Sequence, residues 1–247
     1  MLNIVGHGAL GDSVILYAKI WNIIRNLPCC VVNYRHFESN KKTHYKKTLE
    51  EFWQLVSEIF NAHGYKFNFS IEFYPHREFY QHVPQKMNNK GIFLTTEVDF
   101  LCYNRPNIIA MPQDVPLVII ADGGGGSRGA SSAAIEELCK YFNMKSVILG
   151  SKKIHLPHIE KMENLTGATT LEEALGYIGG AELVIGPDGI LTYYAFLQRK
   201  KNIILFHEKS LINHYWSDKL KRPSIALHQE GWLKNAKKVI EVSKTLI

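Results

Sequence analysis

Downstream of Pro116, short apolar runs and helix-period segments alternate at near-even spacing, and several of the apolar runs end in glycine. Residues 117–121 read as a buried strand followed by four glycines, Gly123 to Gly126. A helix over 131–142 leads to a strand over 146–149 that stops at Gly150. A helix over 171–178, a strand over 183–185 ending in Gly186-Pro187-Asp188-Gly189, a helix over 191–198, a strand over 203–206 and a last helix over 232–246 complete the series. Parallel strands need a crossover, and a helix is the usual one, so this rhythm predicts parallel βαβ units.

The N-terminal part starts the same way. A strand over 2–5 and a glycine-rich turn precede a helix over 12–25, whose Val14, Ile15, Ala18, Trp21 and Ile24 recur at helical spacing. A strand over 29–33 follows, then an amphipathic helix over 44–62 carrying Leu49, Phe52, Trp53, Val56 and Phe60 on one face. Short strands are expected at 67–73, 92–95 and 108–111. The proline-bracketed segment 112–116 reads as a linker. The predicted class is α/β, with two Rossmann-like domains (1–112 and 113–230) facing a central cleft and a helix over 231–247 packing back on the first.

With 46% hydrophobic and 21% charged residues in 247, the chain can bury a core, which excludes disorder over most of its length. No run approaches the 18 apolar residues of a membrane span, and no basic leader opens the sequence, so a cytoplasmic protein is expected (host cytoplasm if viral). Cys29, Cys30, Cys102 and Cys139 lack CxxC spacing and read as reduced thiols. The net charge of +6 is even, 12 basic against 9 acidic residues before Pro112 and 17 against 14 after. Such a balance fits a phosphate-bearing small molecule as well as nucleic acid.

Three turns could carry chemistry. Gly6-His7-Gly8-Ala9-Leu10-Gly11-Asp12 lies between a strand and a helix and contains a formal GxGxxG. A dinucleotide site would also want an acid near the end of the second strand, and Val32-Asn33-Tyr34-Arg35 offers none; Arg35 could serve NADP instead. Asp12 at the helix start reads either as a cap or as a base for an acceptor hydroxyl. His7, Gly8 and Gly11 are candidate acceptor-side residues. Asp122 opens a second turn, in which Gly124, Gly125 and Ser127 could form an anion nest and Arg128 could pair with phosphate. The third turn, Gly186 to Tyr193, sets helix-start amides at Gly189, Ile190 and Leu191 beside Asp188. His155 and His158 flank Pro157 without the other ligands a metal needs, so no metal site is expected.

In this order the pieces resemble glycosyltransferase family 9, the ADP-heptose:lipopolysaccharide heptosyltransferase group. The family's N-L-T-G-x-T-S-L-x-E segment is echoed by Asn164-Leu165-Thr166-Gly167-Ala168-Thr169-Thr170-Leu171-Glu172-Glu173. Its A-D-L-V-V-G-N-D is echoed by Ala181-Glu182-Leu183-Val184-Ile185-Gly186-Pro187-Asp188, and Leu10-Gly11-Asp12 matches its N-terminal Gly-Asp. The chain departs from it with Tyr193 at the loop histidine, Gly189-Ile190-Leu191 for Ser-Gly-Pro, and Lys152 and Lys153 near an acidic position.

The resemblance implies a GT-B fold and an inverting, metal-independent glycosyltransferase that uses a nucleotide-diphosphate sugar and no separate cofactor. It implies Asp12 as catalytic base, with Gly124, Gly125, Ser127, Arg128, Asp188, Gly189, Ile190, Leu191 and Tyr193 around the donor. The basic run from Lys41 to Lys47, with Tyr34, Tyr45, Tyr74 and Tyr80, could face a saccharide or a modified-DNA acceptor. Three other readings stay open: a virus-type DNA glycosyltransferase acting on hydroxymethylated bases, an NADP-dependent oxidoreductase, and an inactive nucleotide-binding protein.

Overall fold

Strand β1 (Leu2–His7) runs parallel to β2 (Val31–Glu38) on one side and to β4 (Ile92–Leu94) on the other, and β3 (Lys66–Phe73) pairs beyond β2. The sheet order is β3-β2-β1-β4. Helix α1 (Leu10–Ile24) links β1 to β2, and α2 (Thr43–Ala62) links β2 to β3. Both crossovers step in one direction, so right-handed connection places both helices on one face. The side chains agree: Tyr17 and Trp21 of α1 stack on Phe60 of α2, and Trp53 of α2 lies 4.3 Å from the Tyr34 ring of β2. The stripe Leu49, Phe52, Trp53, Val56 and Phe60 is fully buried, as its spacing predicts. Each such side chain contributes about 1.5–3 kcal/mol on burial.

In this computed structural model the described residues are 1–28, 30–38, 43–73, 92–94, 112–122, 129–207, 224–228 and 236–246. The chain divides into two compact units, Met1–Ile108 and Ile109–Ile247.

The second unit holds β5 (Val115–Ile120), α3 (Ser132–Phe142), β6 (Ser146–Leu149), β7 (Met162–Asn164), α4 (Leu171–Gly180), β8 (Ala181–Pro187), α5 (Ile190–Leu197), β9 (Lys201–Phe206), β10 (Ser224–His228) and α6 (Ala236–Ser243). Its sheet runs β10-β9-β8-β5-β6-β7, with every pair parallel. Counted from its own first strand and read from the β7 edge, this is the order 3-2-1-4-5-6 of the doubly wound fold. Local signals set the helices. Ser131 caps α3 by accepting the Ala134 N–H at 3.2 Å, and Asn143 ends that helix in the left-handed region at φ 46°. Leu117, Ile119, Ile148, Ile185 and Ile203 pack beneath Ile135 and Leu138.

The sequence misses two strands. β7 is Met-Glu-Asn at a sheet edge and has no apolar run. β10, Ser-Ile-Ala-Leu-His, is short and also an edge. The strand expected at 108–111 lies outside the described residues. Of the terminal helix, Ala236 and Val239 on α6 lie in the core of the second unit.

The linker is held by the end of α4. The Gln113 N–H donates to the Gly176 carbonyl at 3.0 Å, and a Cβ on Gly180 would stand 1.8 Å from the Gln113 carbonyl oxygen. Glycine to alanine in a helix normally stabilises, but here the added methyl meets backbone. Gly180→Ala should destabilise by about 1–3 kcal/mol, the usual cost of overpacking. That corresponds to a melting temperature lower by about 2–4 °C per kcal/mol for a chain of this size. A raised melting temperature would contradict the close approach.

Candidate active site

Each sheet has one place where successive crossovers leave in opposite directions, and open α/β sheets bind ligands outside the carboxyl ends of strands there. In the second unit the chain steps from β5 to β6 and β7, then returns to β8 on the other side of β5. The switch point therefore lies between β5 and β8. In the first unit it lies between β1 and β4. The carboxyl ends of β1, β5 and β8 carry the three turns that the sequence singles out.

At the end of β8, the Asp188 N–H still donates to the Leu205 carbonyl at 3.0 Å, so strand pairing carries the chain into the turn. The Asp188 carboxyl is buried, with Oδ1 3.8 Å from His207 Nδ1 at the end of β9. The buried Thr192 hydroxyl donates to the Pro187 carbonyl at 2.6 Å and accepts the Gly189 N–H at 3.2 Å. Asn202 fixes the same turn through the Thr192 carbonyl at 2.8 Å. Gly189, expected to offer its amide to a phosphate, thus spends it on Thr192. Ile190 and Leu191 open α5, where amides have no intrahelical acceptor. Tyr193 is buried, as is the rest of α5 from Thr192 to Leu197.

Gly124, Gly125, Ser127 and Arg128 lie outside the described residues; the residues flanking that stretch are described. Asp122 bridges Gly129, and the Ala130 N–H donates to the Ala121 carbonyl at 2.8 Å. Asp122 and Gly129 thus both stand at the carboxyl end of β5, beside β8. Asp122 also accepts from the Ser151 N–H (2.9 Å), the Ser151 hydroxyl (2.9 Å) and the Lys152 N–H (3.0 Å), tying the turn after β6 to the same edge.

The stretch that carries the strongest resemblance is a clamp on that turn. Thr166 Oγ1 accepts the Ile154 N–H at 3.0 Å and donates to Asn164 Oδ1 at 2.7 Å, while Asn164 Nδ2 donates to the Ile154 carbonyl at 2.9 Å. Gly167 has φ +70°, and a Cβ there would lie 2.7 Å from the Lys153 nitrogen. Thr170 and Glu173 then form a reciprocal capping box at the start of α4. The two bonds from Thr170 hold the Glu173 carboxyl below its usual range.

In the first unit Asp12 Oδ2 accepts the Ala9 N–H at 2.7 Å, so the capping role is realised. Asp12 is buried, and its carboxyl packs so closely on Gly8 that a Cβ there would sit 2.6 Å from Oδ2; Gly8 has φ +147°. His7, at the end of β1, is half-buried, which lowers its pKa. Gly11 lies in the first turn of α1.

Two residues stand next to this turn: His36, which the sequence reading does not single out, and Tyr34, which it expects on an acceptor face. His36 Nε2 lies 2.9 Å from the Gly8 carbonyl oxygen, and the Tyr34 hydroxyl lies 2.8 Å from His36 Nδ1. Burial pushes the His36 pKa down to about 3; the Gly8 bond opposes this, and His7 lowers it further. Burial first, and then the Asp12 charge, push Tyr34 well above the usual phenol value. Tyr34 is thus an internal group and not part of an acceptor face. The cue available in the sequence is Gly6: a Cβ there would lie 2.7 Å from the Tyr34 hydroxyl.

The dinucleotide reading changes on both counts. β2 continues to Glu38, so an acid does stand at the end of the second strand. Arg35, the NADP candidate, is paired with Glu72. Asp12, however, occupies the Ala9 amide and brings negative charge to the helix start where a pyrophosphate would sit. In the basic run, Lys46 and Lys47 pair with Glu50 and Glu51 on the exposed face of α2; Lys41, Lys42, Tyr74 and Tyr80 lie outside the described residues. Among the described residues no group of three or more His, Cys, Asp or Glu is placed to hold a metal, and no helix is long and apolar enough to cross a membrane.

No family model matches the chain, and no curated protein matches it. Solved structures do. An E. coli ADP-heptose LPS heptosyltransferase II is 12% identical, with 100% of this chain and 98% of that one covered at a TM-score of 0.56. A glycosyl transferase family 9 structure from Veillonella parvula DSM 2008 is 13% identical over 99% and 97%, at 0.59. E. coli heptosyltransferase WaaC, solved with ADP-2-deoxy-2-fluoro heptose, is 10% identical over the full length of both chains, at 0.56. Identity this low speaks for architecture: the chain has the α/β, GT-B-like fold of these transferases.

Proposed function

We propose that this protein is an inverting, metal-independent glycosyltransferase that moves a sugar from a nucleotide-diphosphate sugar to a hydroxyl of a saccharide acceptor. The observation that carries the reading is the second unit's switch point. There the helix start of α5 lies at the same sheet edge as the Asp122–Gly129 bridge after β5 and the turn after β6 that Asp122 holds. Amides and a guanidinium are the groups that stabilise charge developing on a leaving diphosphate. The solved structures of the same fold include transferases with ADP or an ADP-sugar bound.

In the proposed step Asp12 takes the proton of the acceptor hydroxyl, whose oxygen bonds to the anomeric carbon from the face opposite the donor oxygen. The bond from that carbon to the diphosphate breaks, and its electron pair leaves on the β-phosphate oxygen. One displacement inverts the anomeric centre. The Asp188–His207 pair and Thr192 hold the turn that receives the phosphates.

A thermal-shift panel across ADP, UDP, GDP, CDP, their sugar conjugates and NAD(P)H tests this directly. A ligand at 100 times its Kd stabilises by about 2.7 kcal/mol. Stabilisation by one nucleoside diphosphate and its sugar conjugate is expected, followed by product with a saccharide acceptor. Stabilisation by NAD(P)H alone would transfer the case to the oxidoreductase. Donor binding without hydrolysis or transfer would leave an inactive nucleotide-binding protein.

A further inference from the structure

Tyr34, His36 and the Gly8–Ala9 peptide form a connected run of hydrogen bonds that ends on the Asp12 carboxylate. A carbonyl only accepts, so His36 Nε2–H donates to Gly8; neutral His36 must then accept at Nδ1, and Tyr34 donates to it. The other end of the same peptide, the Ala9 N–H, donates to Asp12 Oδ2. Tyr34 and His36 are both essentially inaccessible, on a strand face packed against Trp53. Packing alone would be served there by apolar residues at lower desolvation cost. Gly6 leaves the space that the Tyr34 hydroxyl fills.

We infer that His36, oriented by Tyr34, is a positioning residue for Asp12 and acts through the Gly8–Ala9 peptide. This rests on the reading of Asp12 as the base. A donor on the Gly8 oxygen polarises the peptide and makes the Ala9 N–H a stronger donor to the carboxylate, because linked hydrogen bonds reinforce one another. The carboxylate is thereby held at one angle above Gly8. Among the described residues, His36 faces the titratable groups Tyr34 on its own strand, His7 on β1 and, through the peptide, Asp12 on α1; α2 contributes the indole of Trp53.

The test uses the full chain with His36→Leu, His36→Gln, Tyr34→Phe and Asp12→Asn. Leucine removes the donor to Gly8, whereas the glutamine amide can restore it. Nitrogen–proton spectra of the unliganded protein read the Ala9 amide. In His36→Leu its proton should move upfield and exchange about tenfold faster, with His36→Gln close to wild type and Tyr34→Phe between them. With the ADP-, UDP-, GDP- or CDP-sugar that turns over, His36→Leu should lower kcat about 10–100-fold at unchanged donor KM, with recovery in His36→Gln. An unchanged Ala9 amide in a folded His36→Leu overturns the inference, as does an equal fall in the leucine and glutamine variants. Inactive Asp12→Asn beside a wild-type kcat in His36→Leu overturns the positioning role alone. Full turnover in Asp12→Asn overturns the base reading and the positioning role together.

Discussion

Asp12→Asn should lower turnover by about 10³-fold, within the range that positioned general bases contribute. The substitution changes little else. Asparagine keeps an oxygen where Asp12 Oδ2 accepts the Ala9 N–H, and it is itself a good residue at a helix start. It also preserves the volume packed against Gly8, where alanine at position 12 would leave a gap. What is lost is the charge and the capacity to take a proton. The expected pattern is a fall in kcat with donor KM and the nucleoside diphosphate thermal shift unchanged. A variant with a wild-type melting temperature and wild-type turnover would reduce Asp12 to a cap.

Acid should destabilise the protein through His36. In the unfolded chain this imidazole takes a proton near pH 6.5, whereas in the native state burial holds it off until about pH 3. Between those values the unfolded state binds the extra proton, so stability is present above pH 6.5 and is lost as the pH falls towards 3. At 1.36 kcal/mol per unit the loss approaches about 4 kcal/mol, a large share of the 5–15 kcal/mol that a native domain typically has. His7, lowered by the same cause, adds loss of the same sign. Urea midpoints measured from pH 7 to pH 4 should decline steeply in the wild type and more gently in His36→Gln. Parallel curves for the two proteins would assign the acid sensitivity elsewhere.

The parts of this fold that were legible in the sequence are those whose burial is continuous or strictly periodic. Leu49 to Phe60 reads as a helix because its apolar stripe has a single solution, and 146–149 reads as a strand because all four residues are buried. β2 was read too short. Past Tyr34 its residues alternate Arg35, His36, Phe37 and Glu38, so polar side chains interrupt the apolar run and none marks the remainder. β7 has the same difficulty at an edge. Asp12 and Asp188 could be found because each sits in a glycine turn between a strand and a helix. His36 could not, because it reaches Gly8 through the parallel register that sets Gly6 opposite His36, a relation between residues far apart in the chain.

The Asn164–Thr166–Gly167 clamp bears on how this protein could be re-engineered. Its side chains spend their hydrogen-bonding capacity on one another and on the main chain of Ile154, and Gly167 lies hard against Lys153. A combinatorial library built at 164–167 would chiefly yield misfolded clones. Diversity placed at exposed Lys152 and Lys153 leaves the scaffold intact while altering the chemistry displayed at that rim.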